Sequence, residues 1–140
     1  PLYDYTIPFG KAKIRKKGKD VTILGKLRSV YTALEASKTL EQRNISCEVI
    51  DPRTIVPFDS KLLFNSVKRT GRLVIVDECT KTGGWAGEIS ALVQENIFEY
   101  LKKPVVRVTA PDTPVPFAPK LENFFIPQVK DVVKEVLKLF

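Results

Sequence analysis

The stretch Leu73-Val-Ile-Val-Asp-Glu-Cys-Thr-Lys-Thr-Gly-Gly-Trp-Ala-Gly-Glu88 decides the fold of this chain. An apolar run ends in two acids, a glycine-rich turn follows, and a helical pattern begins after the turn. A continuous apolar run of this kind is typical of a strand that is buried on both faces of a parallel sheet. Because ligands and partner chains meet the carboxyl ends of such strands, often against a helix N-terminus, the stretch also marks the expected functional edge of the fold.

Strand and helix patterns alternate on both sides of this stretch. The expected strands are 11–15, 21–25, 47–51, 73–77 and 105–109. Helical spacing begins after Ser29 as an N-cap and ends at Asn44, and it begins again after Asp59 and ends at Gly71. The alternation predicts one α/β domain over residues 1–140, with helices on both faces of a mostly parallel sheet and an antiparallel strand at one edge.

The last third of the chain predicts two further helices. One is expected from about Ala86 to Leu101, before the final strand. The connection 110–127 that follows is rich in proline but too apolar for a floppy linker, so its aromatic residues need a surface to pack against. Pro127 fits the first position of a terminal helix whose apolar face reaches Phe140.

Composition narrows the range of functions. The chain has no histidine, which removes the commonest general base, the Ser–His and Cys–His nucleophile pairs and most zinc sites. We therefore expect no catalytic, cofactor-binding or metal-binding residue in this domain. No run of about 18 apolar residues occurs, so no membrane-spanning segment is expected. Cys47 and Cys79 are expected to be reduced thiols of a cytosolic protein, and the N-terminus without Met predicts a fragment of a longer chain.

The net charge of +7 includes one basic cluster near the N-terminus, formed by Lys11, Lys13, Arg15, Lys16, Lys17 and Lys19. Its first members alternate with apolar residues, as in an exposed edge hairpin, where lysine blocks unwanted strand pairing. No aromatic residue is interleaved with them to stack on bases. We therefore interpret the cluster as a solvated edge and expect no nucleic-acid partner.

The glycine-rich turn allows two interpretations. Asp77 and Glu78 are expected where the strand emerges, and Thr82, Gly83 and Gly84 are expected to form the turn into the helix. Free N–H groups at such a turn bind anions, yet the two carboxylates oppose that binding unless they face away. The spacing matches neither a Walker loop nor a dinucleotide-binding fingerprint, which favours a structural turn over a ligand site.

Two more residues stand out beside the turn. Arg53 lies between two prolines, where a stiff loop suits either an internal ion pair, which we favour, or a ligand carboxylate. Trp85 either anchors an interface or fills a hydrophobic corner, and the sequence favours neither.

These segments, taken in order, resemble a known family. The matching stretches are Cys47-Glu-Val-Ile-Asp-Pro-Arg-Thr-Ile-Val-Pro-Phe-Asp59, Ser66-Val-Lys-Arg-Thr-Gly-Arg72, Lys81-Thr-Gly-Gly-Trp85 and Arg107-Val-Thr-Ala-Pro-Asp-Thr-Pro-Val-Pro-Phe117. The chain resembles the C-terminal domain of the β subunit of thiamine-diphosphate-dependent 2-oxo acid dehydrogenases, a family that includes the pyruvate, branched-chain and acetoin enzymes. The resemblance covers essentially the whole chain.

The resemblance implies a fold, an activity and partners. The fold is the transketolase C-terminal type, a five-stranded, mostly parallel sheet with one antiparallel edge strand. The complete enzyme oxidatively decarboxylates a 2-oxo acid and transfers the acyl group to lipoyl groups, with thiamine diphosphate and Mg held outside this domain. The implied partners are an α subunit, a second β subunit and the dihydrolipoyl acyltransferase core, in the cytoplasm or an organelle matrix.

Two residues depart from the family pattern. Asp77 stands where many members have histidine, so no role of that imidazole carries over. Lys102 stands where some members have an acid that attracts a basic domain of the acyltransferase, which puts docking in the region of Lys102 and Phe140 in question. Two alternatives stay open: a free-standing α/β module with a ligand at the glycine turn, and the equivalent domain of a transketolase-type enzyme.

Overall fold

The fold is a mixed five-stranded sheet between two helical layers, seen in a computed structural model that describes residues 4–140. Its strands, in chain order, are β1 Lys13–Lys16, β2 Val21–Gly25, β3 Cys47–Asp51, β4 Leu73–Thr80 and β5 Val106–Ala110. The helices are α1 Arg28–Glu41, α2 Ser60–Thr70, α3 Trp85–Ile97, α4 Pro119–Phe125 and α5 Val129–Leu137, with a 3₁₀ turn at Phe98–Tyr100. The predicted sheet is confirmed.

The strand order is β1-β3-β2-β4-β5, and only the β1–β3 pair is antiparallel. β1 is thus an edge strand, as its lysines predict. In this order, the connection that follows β2 leads to β3, and the connection that follows β4 leads in the opposite direction across the sheet, to β5. Neighbouring parallel strands whose connections diverge in this way leave a crevice at their carboxyl ends. The crevice between β2 and β4 is therefore the position where a ligand is expected in such a sheet.

β4 lies deep in the core, since residues 73–77 are all fully buried. Side chains alternate along a strand, so Val74 and Val76 face α1 and α5, whereas Leu73 and Ile75 face α2 and α3. Burial of each such side chain contributes about 1.5–3 kcal/mol. The unbroken apolar run thus has two separate packing partners, which explains why it has no polar face.

Local signals place α2 correctly. The Asp59 carboxylate accepts a hydrogen bond from the backbone N–H of Leu62 at 3.1 Å, and Gly71 ends the helix with φ of 72°. The predicted cap at Ser29 is wrong, because α1 begins two residues earlier than that cap implies, after Leu27 with φ of 51°, and Ser29 is buried inside the helix. α1 ends at Glu41 rather than at Asn44.

The C-terminal part differs most from the prediction. Helix α4, which the proline-rich connection did not suggest, begins with Pro119 as its first residue. The terminal helix α5 does not begin at Pro127, because Gln128 caps it and forms a reciprocal capping box with Asp131. α3 ends at Ile97, so the predicted end at Leu101 is also wrong. Within residues 4–140, none of the helices has the length and apolar character needed to cross a membrane.

Candidate functional site

A buried ion pair fills the crevice between β2 and β4. Lys26 follows β2 directly, and its Nζ lies 2.9 Å from Oδ1 of Asp77, whose side chain is completely buried. The Asp77 carboxylate also accepts hydrogen bonds from the backbone N–H groups of Cys79, at 3.1 Å, and Ala86, at 3.3 Å. Since Ala86 lies in the first turn of α3, the chain's own carboxylate neutralises the positive end of that helix.

The positive charge of Lys26 is stable at neutral pH. Partial burial of Lys26 works to lower the pKa of its ammonium group, but the hydrogen bond and charge of Asp77, together with Cys79, outweigh that effect. The pKa of Lys26 therefore lies above its ordinary value. The Lys26 ammonium and the Asp77 carboxylate therefore engage one another in the crevice rather than facing a ligand.

The glycine-rich turn is held by hydrogen bonds from the next loop. The N–H and hydroxyl groups of Thr82 donate to the Asp112 carboxylate at 2.9 and 2.7 Å, and the backbone bond contributes most to holding the pKa of Asp112 below its ordinary value. Gly83 has φ of 70°, and a Cβ on Gly84 would lie 2.2 Å from the carbonyl oxygen of Thr80. The geometry favours the structural turn, because both Thr82 donors are paired and α3 already has the Asp77 carboxylate at its N-terminus.

Glu78 and Cys79 lie at the end of β4 in different surroundings. Oε1 of Glu78 is buried and has no hydrogen-bond partner within residues 4–140, although the residue as a whole is only half-buried. Cys79 is exposed, with its Sγ 3.8 Å from Nζ of Lys26. Cys47, at the start of β3, is buried, and burial raises the pKa of its thiol to about 12. Both cysteines are free thiols, as the sequence predicts.

The position of Trp85 agrees with a side chain that fills a hydrophobic corner, and it also leaves part of the side chain exposed for an interface. The Trp85 ring meets the ring of Phe58 edge to face, with 6.0 Å between the two centroids. Nζ of Lys26 lies 5.9 Å from the centroid of the Trp85 ring. The side chain is half-buried. Trp85 thus packs beside Phe58 and Lys26, while part of its side chain stays available for contact with another chain.

Arg53 does not form the internal ion pair that the sequence favours. Its guanidinium has no ion-pair or hydrogen-bond partner in the described part of the chain, and the residue is exposed with φ of 60°. Asp51 orders the loop instead, by accepting a hydrogen bond from the backbone N–H of Arg53 at 3.0 Å. The Asp51 carboxylate is also 3.4 Å from the guanidinium of Arg15.

Sequence reasoning missed an apolar surface beside the carboxyl ends of β2 and β3. Phe9 is 83% exposed, Leu27 75% and Tyr31 64%. These three side chains, with Ile7 and Ile55, line one groove that also contains Arg53. These residues come from three separate segments of the chain, so no local sequence periodicity reveals the groove.

The two residues of the predicted docking region each contact the segment that precedes β4. Lys102 donates its backbone N–H to the carbonyl oxygen of Gly71 at 2.8 Å, and its aliphatic stem lies over Gly71. The ring of Phe140 lies 4.2 Å from the guanidinium carbon of Arg72. Lys102 and Phe140 thus contact the consecutive residues Gly71 and Arg72 just before β4, whereas the glycine-rich turn follows the end of β4.

Comparison with known proteins agrees with this architecture. Residues 10–132 match the family described as "Transketolase, C-terminal domain". The chain is 44% identical over 135 residues to the acetoin:2,6-dichlorophenolindophenol oxidoreductase subunit beta of Bacillus subtilis, covering 96% of this chain and 40% of the relative. It is 49% identical over 128 residues to the mitochondrial 2-oxoisovalerate dehydrogenase subunit beta of Dictyostelium discoideum, covering 91% and 34%. The chain thus spans well under half the length of these relatives.

Solved structures give the same result. A split gene transketolase, described as an inactive beta4 tetramer, superposes with a TM-score of 0.83 at 32% identity, covering 97% of this chain and 43% of that one. The 2-oxoglutarate:ferredoxin oxidoreductase of Magnetococcus marinus, at 12% identity and a TM-score of 0.60, covers 92% of this chain and 19% of that one, and shares the fold. Together with the family match over residues 10–132, these likenesses show that the chain belongs to the transketolase C-terminal domain family.

Proposed function

We propose that this chain is the C-terminal assembly and docking domain of the β subunit of a 2-oxo acid dehydrogenase. The observation that carries the proposal is the identity of 44–49% to β subunits of acetoin, 2-oxoisovalerate and pyruvate enzymes, over more than nine-tenths of the chain. The complete enzyme would oxidatively decarboxylate a 2-oxo acid and transfer the acyl group to lipoyl groups.

The filled crevice supports a role in assembly rather than in chemistry. The position where a ligand is expected holds the Lys26–Asp77 pair, and the helix N-terminus beside it is already neutralised. Thiamine diphosphate and Mg would therefore be bound outside this domain, where they would supply the carbanion chemistry of the decarboxylation. The residues of this chain keep the carboxyl edge rigid through buried, paired charges.

The exposed apolar surface supports contacts with other subunits. A monomer rarely exposes several large apolar side chains around one groove unless another chain covers them. We assign the surface of Phe9, Leu27 and Tyr31 to a contact with the α subunit or the second β subunit, with Arg53 at its rim. Glu78, Thr82, Gly83, Gly84 and Trp85 would lie beside that contact. The dihydrolipoyl acyltransferase core remains the proposed third partner, in the cytoplasm or an organelle matrix.

The test is a substrate panel on the complete enzyme. The full polypeptide that contains this chain is produced together with its partner subunit and supplied with thiamine diphosphate and Mg. We expect reduction of 2,6-dichlorophenolindophenol that depends on pyruvate, on a branched-chain 2-oxo acid or on acetoin. Ketol transfer between sugar phosphates, with no dye reduction, would overturn the proposal.

That outcome would support the transketolase alternative, which the split gene transketolase of the same fold favours. A second measurement tests whether thiamine diphosphate is bound outside this domain. Calorimetry on residues 1–140 alone is expected to show no binding of thiamine diphosphate. Tight binding there would place the cofactor in this domain and contradict the assembly role.

A further inference from the structure

A groove between α3 and β5 carries positive charge only. Its lining includes Lys102, Lys103 and Arg107, together with Phe98 and small or neutral residues of α3, and it contains no acidic side chain. Lys102 and Lys103 are exposed, and Arg107 is half-buried. Within residues 4–140, no carboxylate forms an ion pair with any of the three cations. The groove therefore presents three charges that the described part of the chain does not neutralise.

Backbone groups position two of these residues, Lys102 and Arg107. The N–H group of Lys102 donates to the carbonyl oxygen of Gly71 at 2.8 Å, which fixes the segment at the end of α2. One guanidinium nitrogen of Arg107 donates to the carbonyl oxygen of Lys81 at 3.1 Å. The same nitrogen lies against Gly87, where an added Cβ would be 3.4 Å away. Because only one Arg107 nitrogen is engaged there, the other guanidinium donors stay available for an incoming carboxylate.

The groove also has an apolar side and an open strand edge. Phe98 is 59% exposed, and Leu101 and Val105 lie beside it. β5 has a strand neighbour on one side only, since it ends the sheet. A small inorganic anion would leave this apolar area in water, whereas an extended peptide would cover it and add backbone hydrogen bonds at a sheet edge.

We propose that this groove docks an acidic, partly apolar segment of a partner protein. Charge complementarity selects the occupant, because three uncompensated cations attract carboxylates and repel a basic segment. A second copy of this chain is disfavoured, since each copy carries a net charge of +7. The proposal goes beyond the dehydrogenase assignment and does not depend on it: binding at the groove is measured without turnover, so failure of either leaves the other standing.

The test uses the complete subunit assembly and a short fluorescent peptide in which glutamates alternate with leucines. We expect saturable binding that weakens at least about tenfold between about 50 and 300 mM NaCl, because exposed charge pairs are screened over that range. The same peptide with lysines in place of the glutamates is expected not to bind. Equal binding of the two peptides would overturn the proposal.

Two matched variants locate the binding. The double variant Lys102→Glu/Lys103→Glu is expected to weaken binding of the glutamate peptide at least about tenfold, whereas Lys130→Glu/Lys134→Glu on α5, with the same change in net charge at exposed positions, is expected to leave it unchanged. Equal weakening in both variants would show a general charge effect and refute the site. Loss of self-association in the first variant, without any peptide binding by the unmodified protein, would identify a second copy as the occupant and also refute the proposal.

Discussion

Removal of the Lys26 ammonium is the sharpest perturbation of the crevice. In Lys26→Met, the Asp77 carboxylate stays completely buried and loses the cation at 2.9 Å. Removal of one partner of a buried ion pair typically costs about 3–5 kcal/mol, because the remaining charge is uncompensated. Asp77 keeps two backbone N–H donors and the N-terminus of α3, so we expect a loss near the lower end, about 3 kcal/mol.

The chain offers a matched control at the same separation. Lys16 and Glu41 also form an ion pair at 2.9 Å, but the Glu41 side chain is 69% exposed. Exposed pairs contribute about 0–1 kcal/mol, so Lys16→Met is expected to cost less than about 1 kcal/mol. Because the two ion pairs have the same separation, the difference in unfolding free energy between the two variants reports the effect of burial.

The assay is urea unfolding at pH 7, followed by far-UV circular dichroism and by the fluorescence of Trp85, which is the single tryptophan and lies beside Lys26. For a chain of this size, a loss of about 3 kcal/mol corresponds to a fall in melting temperature of about 6–12 °C. Equal losses in Lys26→Met and Lys16→Met would refute the reasoning. So would a double-mutant cycle of Lys26→Met with Asp77→Asn that gives a coupling energy under about 0.5 kcal/mol.

Other consequences of the site can be measured separately. Gly84→Ala is expected to destabilise the protein more than Gly83→Ala in urea unfolding, because its Cβ would meet a carbonyl oxygen at 2.2 Å, whereas Gly83 has φ of 70° but open space around it. Equal effects would argue against the tight turn. The pKa of Lys26 is raised in the folded protein, so its stabilising contribution is fully present below the unfolded pKa and is lost as pH rises through the folded one. The free energy of unfolding should therefore fall above about pH 10.5 more steeply in the unmodified protein than in Lys26→Met, and parallel pH profiles would contradict this. Iodoacetamide at pH 8 should label Cys79 in the native state and spare Cys47, which is buried with a pKa of about 12; mass spectrometry showing equal labelling would contradict that burial.

Sequence patterns predicted the sheet because its signals are local. A strand buried on both faces needs a continuous apolar run, and residues 73–77 meet that need whatever lies on either side. The cap at Asp59 and the left-handed Gly71 each depend on backbone groups within four residues. The same kind of reasoning failed at Pro127. Gln128 and Asp131 together cap the helix through reciprocal hydrogen bonds, and the proline signal does not reveal that cap.

By itself, the sequence determined the α/β class, the antiparallel edge strand, the ends of α2 and the family. Only the tertiary structure decided what Asp77 does, since its partner Lys26 is distant along the chain and becomes its neighbour because β2 and β4 are adjacent in the sheet. It also decided that Arg53 is unpaired in the described part of the chain, that Phe9, Leu27 and Ile55 form one surface, and that three cations line a groove without an acid. The physical reason is the same in each case: contacts between distant segments are set by the strand order, which no local period records.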